Sequence, residues 1–396
     1  MQITFYSNFL NHHQLPFCER MYAMLGSNFT FVATERVPQE QLSLGYKDLN
    51  ECYPFVLQTY NDGSGVVRAQ EIADKSDIVI MGSAPFEFVK KRIEANKLTF
   101  IYSERLLKRG LWRILSPRAL YNWYNMYTKY NKKNFYLLAA GAYASGDFSL
   151  LGAFQSKMFK WGYFPDVKKC SIDELLAIKT TEPISILWCG RFLSWKHPEK
   201  AIAIAMFLRT QGYEFILNMI GEGEMAPHIR NLIISNNLSK YVHLLGSMPT
   251  ANVREYMEKA SIFLFTSDYN EGWGAVLNEA MNSGCAVIAS HAIGSVSFLL
   301  QHGVNGMVYK NGDDNELFRE TEELLQNEAL RTELGKNAYA TIITTWNAEV
   351  AATRFIELSE CILNKTKCCF HEGPCSPVLP VAQCKMYRRL VDGKME

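Results

Sequence analysis

Two doubly wound α/β domains with parallel sheets are the architecture this 396-residue chain predicts. Three observations predict it. Short apolar runs alternate with helical patterns through both halves, which is the mark of βαβ units whose sheets are covered on both faces. A stretch holding prolines and charges, 166–183, interrupts that rhythm near the middle, as a linker does. One strand–loop–helix segment of the second half is rich in glycine and carries two carboxylates eight positions apart, Glu271 and Glu279.

The elements follow in order. The chain enters a strand at once (3–6), then a helix over 16–25 and a second strand at Phe29–Ala33. Buried strands are expected at 77–82, which runs into a Gly-Ser turn, at 98–102 and at Phe135–Ala140. The second half repeats the pattern with strands at Ile184–Cys189, Phe215–Ile220, 242–245, Ile262–Phe265 and 286–289. Helices are expected at 198–209, Ala226–Ser235, 253–260 and 274–282. One long helix is expected from about 346 to 363, and periodicity fades beyond Lys365. The expected organisation is a first domain over 1–165, a linker at 166–183, and a second domain over 184–345. A terminal helix at 346–364 and a loose extension at 365–396 complete it.

Composition narrows the classes. Forty-one Lys and Arg against forty Asp and Glu leave no net field that would draw the chain to nucleic acid. No apolar run is long enough to span a bilayer. The N-terminus lacks the basic and apolar regions of a signal peptide, so a cytoplasmic location and reduced thiols are expected for the ten cysteines. Cys368, Cys369, Cys375 and Cys384 gather near His371, but their spacing fits no common zinc pattern. No Gly-x-Gly-x-x-Gly follows the first strand, which argues against a nicotinamide or flavin enzyme of the usual kind.

The chemistry concentrates after the strand Ile262–Phe265. A loop bears Glu271, then Gly272-Trp273-Gly274, then a helix carrying Glu279. Glycine lets a ligand approach the backbone, and a helix start offers free N–H groups to a phosphate. Eight residues is a little over two helical turns, so the two carboxylates lie about a ligand's length apart. One can accept hydrogen bonds from a sugar and the other from a ribose. This pattern resembles the Glu-x7-Glu motif of retaining glycosyltransferases of family 4, which have the GT-B fold of two Rossmann-like domains facing across a cleft. The resemblance covers 184–347 well and the first half in outline.

The resemblance implies further roles. Gly190-Arg191…Lys196 matches the family's segment that contacts a donor diphosphate; Arg offers a forked donor and Lys a point charge. Gly221 and Gly223 match a Gly-x-Gly turn, and Gly246, Ser247 and Met248 follow a strand whose backbone faces the nucleotide base. Glu271 would orient the donor sugar, with Gly272, Trp273 and Gly274 beside it, and Glu279 would grip the ribose. The family needs no metal and no bound cofactor beyond its nucleotide-sugar co-substrate. After His291 this chain has Gly294-Ser295-Val296 where the family shows Gly-Gly and Pro-Glu.

The first half departs more. Its first loop reads His12-His13-Gln14 where relatives carry glycines, and either acceptor contact or ordinary loop polarity accounts for it. Glu104 and Arg105 follow another strand; acceptor contact and a surface ion pair both stay open. From 105 to 133 there are eight cations and no acid, interleaved with Trp and Tyr. That composition suits an anionic membrane face, although several of those rings also suit a core. The whole reads as a retaining hexosyltransferase moving a UDP- or GDP-linked sugar to a glycan or lipid-linked acceptor of surface polysaccharide synthesis, peripheral to a membrane. The alternatives are a non-catalytic relative that binds as a subunit and an epimerase on the same fold.

Overall fold

The computed structural model describes residues 1–39, 42, 47–61, 63–108, 110–180 and 182–392. Arg109 of the basic stretch, Thr181 of the expected linker and 393–396 of the tail lie outside them. The chain divides into two compact units, one of 1–166 with 347–381 and one of 167–346 with 382–396.

The first unit is built on seven parallel strands: β1 (Ile3–Ser7), β2 (Phe29–Ala33), β3 (Val56–Gln58), β4 (Ile78–Met81), β5 (Thr99–Ser103), β6 (Phe135–Ala140) and β7 (Met158–Trp161). Their spatial order is β3-β2-β1-β4-β5-β6-β7. The order reverses between β1 and β4, which pair directly, Ile3 with Ile78 through Tyr6 with Met81. Every residue of β1 and β4 is buried, as expected where helices cover both faces. The helix Ala348–Leu363 belongs to this unit. Asn347 caps it by accepting from the Val350 N–H, and Phe355 packs its ring among those of Phe17, Phe100 and Trp161. Burying one such ring contributes about 1.5–3 kcal/mol.

The second unit holds six parallel strands: β8 (Ile184–Cys189), β9 (Phe215–Ile220), β10 (Val242–Gly246), β11 (Ile262–Phe265), β12 (Ala286–Ser290) and β13 (Met307–Tyr309), in the order β10-β9-β8-β11-β12-β13. Here the reversal falls between β8 and β11. Both sheets are thus doubly wound and parallel, as the sequence predicts. The short strands β3, β7 and β13 carry too few residues to show a period, and the sequence reading missed them.

Two expectations need correction. Residues 167–183 are not a free linker. Ser171 caps the helix Ile172–Ile178, Leu175 and Leu176 are buried, and the Lys179 ammonium donates to the carbonyls of Met257 and Ala260 at 2.8 and 2.6 Å. The prolines and charges that signalled a break flank a helix with its own apolar face. The tail is not loose either. Residues 375–378 run beside β7, with hydrogen bonds between Cys375 and Lys160, Lys160 and Ser376, and Val378 and Met158. A final helix, Gln383–Asp392, belongs to the second unit. A sheet edge attracts an extended segment through its backbone, which leaves little trace in side-chain type.

Candidate functional site

In open parallel sheets, ligands bind beyond the carboxyl ends of the strands where the order reverses. In the second unit that point is β8/β11, and the loops leaving those two strands carry Gly190–Lys196 and Thr266–Gly274.

The loop after β8 is held by glycine. At Gly221, φ is +134°, and an added Cβ would lie 2.0 Å from the carbonyl oxygen of Gly190. Only glycine allows that approach. It lets the turn after β9 zip onto the loop after β8: Gly190 N–H donates to Ile220, Phe192 N–H to Glu222, and Met225 N–H to Phe192. Gly221 N–H donates in turn to Gly246 at the end of β10. Gly190, Gly221, Gly223 and Gly246 therefore shape the backbone of the site, with exposed Ser247 and partly buried Met248 following.

The end of that loop is pinned to β11. Thr266 Oγ1 donates to the carbonyls of Lys196 and His197, and itself accepts from Trp188 Nε1. His197, in the left-handed region (φ 52°), faces Glu199 at 2.8 Å and Asp268 at 3.4 Å. Hydrogen bonds to Asp268 and then Glu199 push its pKa up to about 9, so it is a cation at neutral pH. None of this clamp was read from the sequence; a His and two acids spread over 72 positions give no spacing to recognise.

The clamp delivers Lys196 to Glu271. Lys196 Nζ lies 2.5 Å from Glu271 Oε2, and Ser267 Oγ donates to the same oxygen at 3.0 Å. Glu271 is 8% exposed. A buried carboxylate costs several kcal/mol unless paired and hydrogen-bonded, and here it is both. Gly274 (φ +82°) permits the turn that follows, since a Cβ there would meet the Phe265 ring at 2.4 Å. The helix starts at Val276, so Gly272 and Gly274 belong to the loop rather than the helix.

Glu279 differs from Glu271. Its carboxylate makes no hydrogen bond or ion pair among the described residues, yet burial raises its pKa to about 7 against the opposing pull of Arg254. Arg191 is exposed, and its guanidinium also has no hydrogen-bond partner among the described residues. Trp273 must be corrected. Its side chain is wholly buried, donates through Nε1 to Asn278 at 2.8 Å, and packs on Phe298 and Trp346. It anchors the loop from beneath and offers a ligand nothing but backbone. Beside the loop, Tyr269 meets His291 Nε2 at 2.9 Å, and His291 Nδ1 accepts from the Asn311 N–H. Burial lowers His291 to about 4, so it is neutral. The ring of Tyr387, from the last helix, packs 5.3 Å from His291.

The first unit has its own cavity at the β1/β4 reversal, about 570 Å³, lined among others by Asn8, Asn11, Gln14, Ser83, Glu104 and Lys108. Glu104 accepts from Tyr163 OH at 2.7 Å and pairs with Lys108. The His13 ring stacks on Tyr163 at 5.5 Å and lies tilted against His12 at 3.7 Å. Burial, then His12, hold His13 down to about 3. His12 is lowered by burial as well, so both rings are neutral. Arg105 lines the cavity wall but is not paired with Glu104. It is buried against Asp147, with Nε and Nη2 at 3.3 and 3.2 Å from the two carboxylate oxygens. Its partner comes from a helix 42 positions away and was invisible in sequence. Tyr163, Lys108, Asn11 and Ser83 were likewise missed, because polar loop residues carry no motif of their own.

Residues 173–341 match the model of the family described as Glycosyl transferases group 1. An uncharacterized glycosyltransferase of Methanocaldococcus jannaschii is 32% identical over 148 residues, 37% of this chain and 41% of that protein. The amylovoran biosynthesis glycosyltransferase of Erwinia amylovora is 29% identical over 184 residues, 45% of each. The chain thus spans a little under half the length of these curated relatives. Among solved structures, Anabaena HepE in complex with UDP superposes with a TM-score of 0.68 at 16% identity, over 92% of this chain and 100% of that one. A lipopolysaccharide outer core galactosyltransferase gives 0.65 at 17% identity, over 92% and 100%. The fold is accordingly GT-B, and it is over residues 173–341 that the chain resembles the glycosyl transferases group 1 family.

Proposed function

We propose that the protein transfers a sugar from a UDP-linked donor to an acceptor hydroxyl, with retention at the anomeric carbon. The observation that carries this reading is the set at the β8/β11 reversal: Lys196 paired with Glu271, Arg191 free of partners among the described residues, and an unpartnered Glu279. The UDP held by the Anabaena neighbour supports uracil as the base. A Staphylococcus aureus relative named a poly(ribitol-phosphate) alpha-N-acetylglucosaminyltransferase, 26% identical over 169 residues, and the amylovoran enzyme support a surface-glycan acceptor.

Each residue then has a task. Arg191 and Lys196 neutralise the negative charge that grows on the diphosphate as the glycosidic bond breaks, which is stabilisation of the transition state by fixed charge. These side chains supply that charge themselves, so the reading gives a metal no part. Glu271, held by Lys196 and Ser267, accepts from the donor sugar's hydroxyls and sets its angle. Glu279 accepts from the ribose. Its hydrogen bonds from ribose hydroxyls favour the ionised form, so donor binding expels the proton that burial retains. The cavity of the first unit, lined by Asn11, Gln14, Glu104 and Lys108, takes the acceptor; His12 and His13 do not line it, and His13 reaches it only by stacking behind Tyr163.

Calorimetry with UDP, GDP and ADP in metal-free buffer tests the donor assignment. UDP should bind best, and Arg191→Ala should weaken it roughly 10–100-fold, the loss of a charge-assisted hydrogen bond. Absence of binding to all three nucleotides would overturn the reading in favour of a non-catalytic relative.

A further inference from the structure

The segment between the first unit's cavity and its surface leaves a large apolar area uncovered. Leu111, Trp112, Leu115, Leu120, Tyr121 and Tyr124 all face solvent, with Leu115 83%, Tyr121 70% and Trp112 63% exposed. They fall within fourteen residues on two consecutive elements, the 3-10 turn Leu111–Leu115 and the helix Pro117–Met126. On the helix, Leu120, Tyr121 and Tyr124 lie at i, i+1 and i+4, one stripe within about 100° of arc. The helix is anchored beside the stripe: Trp123 is buried, with Arg113 over its ring at 5.4 Å. The apolar stripe is therefore presented by a fixed scaffold, and Leu115 gains nothing from the fold that holds it out.

Charge identifies the occupant. No Asp or Glu occurs from 105 to 133, in a chain whose cations and anions balance only when the whole of it is counted. Arg118, Lys129 and Lys132 are exposed within that stretch. Three carboxylates that touch the stretch already have partners: Glu94 accepts from Tyr130, Glu104 from Tyr163 and Lys108, and Asp147 holds Arg105. Aliphatic tips, rings with polar edges and unopposed cations form the arrangement that enters the headgroup layer of an anionic bilayer. Nucleic acid would use the cations and rings but leave Leu111, Leu115 and Leu120 in water.

We propose that the 111–124 face docks this protein on an anionic bilayer, and that the acceptor is presented from that bilayer. Met126 and Tyr127, at the end of the same helix, line the acceptor cavity, so a membrane under the stripe lies beside the cavity mouth. The second clause rests on the glycosyltransferase reading; the first does not.

Co-sedimentation with phosphatidylcholine vesicles, with and without phosphatidylglycerol, tests the surface directly, and UDP calorimetry on the same samples keeps the two readings apart. The full chain should pellet with the anionic vesicles alone and be released by salt. Leu115→Ser with Tyr121→Ser, and separately the exposed-charge change Arg118→Glu, should each weaken partition about tenfold with UDP binding and melting temperature unchanged. Trp112 is the exposed tryptophan among the described residues, so its emission should shift to the blue on binding, and Trp112→Phe should abolish the shift. Failure of the wild type to pellet with anionic vesicles, or undiminished pelleting of both variants, would overturn the proposal. Capture of RNA or an acidic polypeptide in place of vesicles would overturn it equally.

Discussion

The two units solve one problem in different ways. Each places its site at the reversal of a parallel sheet, β8/β11 in one and β1/β4 in the other. In the second unit the site is a compact cluster of side chains from two short loops, locked by glycines that let backbones touch and by the Thr266 and His197 clamps. In the first unit it is an open, polar cavity whose lining reaches from Asn8 to Tyr163. The first arrangement suits a ligand part that never changes, a nucleotide diphosphate. The second suits an acceptor whose shape varies, because many hydrogen-bonding groups spread around a roomy cavity accept many hydroxyl patterns.

If that contrast is right, the second unit tolerates almost no change. Glu271→Ala should lower kcat roughly 10²–10³-fold with UDP affinity little altered. Equal mild losses in Glu271→Ala and Glu279→Ala would instead mean that neither carboxylate touches substrate, and would erase the contrast between units. Gly221→Ala should cost about 2–4 kcal/mol of unfolding free energy, read by urea denaturation, because the new Cβ collides with the Gly190 carbonyl rather than with a movable side chain. Wild-type stability there would show that the loops can part, and that the site is looser than its hydrogen bonds suggest.

A smaller effect sharpens the comparison through protons. Glu279 has its folded pKa raised to about 7 by burial. Its neutral form is therefore the one the empty fold tolerates, and stability from it is lost as pH rises from its unfolded range through 7. Donor binding runs the other way, since ribose hydroxyls favour the carboxylate. UDP affinity should rise across pH 6 to 8 by roughly three- to tenfold beyond the phosphate's own titration, and Glu279→Gln should flatten that excess. The smallest expected effect belongs to the first unit. Glu104→Gln should raise KM for the acceptor by several-fold and leave UDP affinity untouched, as fits one group among many in a shared cavity. A large fall in kcat from this change would make Glu104 part of the chemistry, and the acceptor site as exacting as the donor site.

Much of the second unit was legible. The runs that became β8 and β9 are largely apolar and run into glycine, so periodicity and turn chemistry agree, and β11 is an unbroken apolar run. Arg191 and Lys196 stand on one loop, and Glu271 and Glu279 on a second loop and the helix that follows it, each pair at a short interval that a motif can capture. The Trp273 side chain turned inward, leaving only its backbone toward the loop, because a string of residues does not say which way a ring points. The linker and tail were misread for a related reason: nothing in their residue types shows that the Lys179 ammonium meets the carbonyls of Met257 and Ala260, or that the Cys375 N–H donates to the Lys160 carbonyl at the edge of β7.

The sequence by itself determined the class of fold, two wound parallel sheets, and the identity of the charged groups on the loops after β8 and β11. Both follow from local physics: burial on two faces demands continuous apolar strands, and close backbone approach demands glycine. Tertiary structure alone decided which polar residues act together. The pairing of Arg105 with Asp147, the His197 clamp, the stacking of His13 on Tyr163 and the exposure of Leu115 each depend on chain segments brought near or kept away by packing. Hydrogen bonds and ion pairs act over a few ångströms in space and are indifferent to distance along the chain, so sequence spacing carries no record of them.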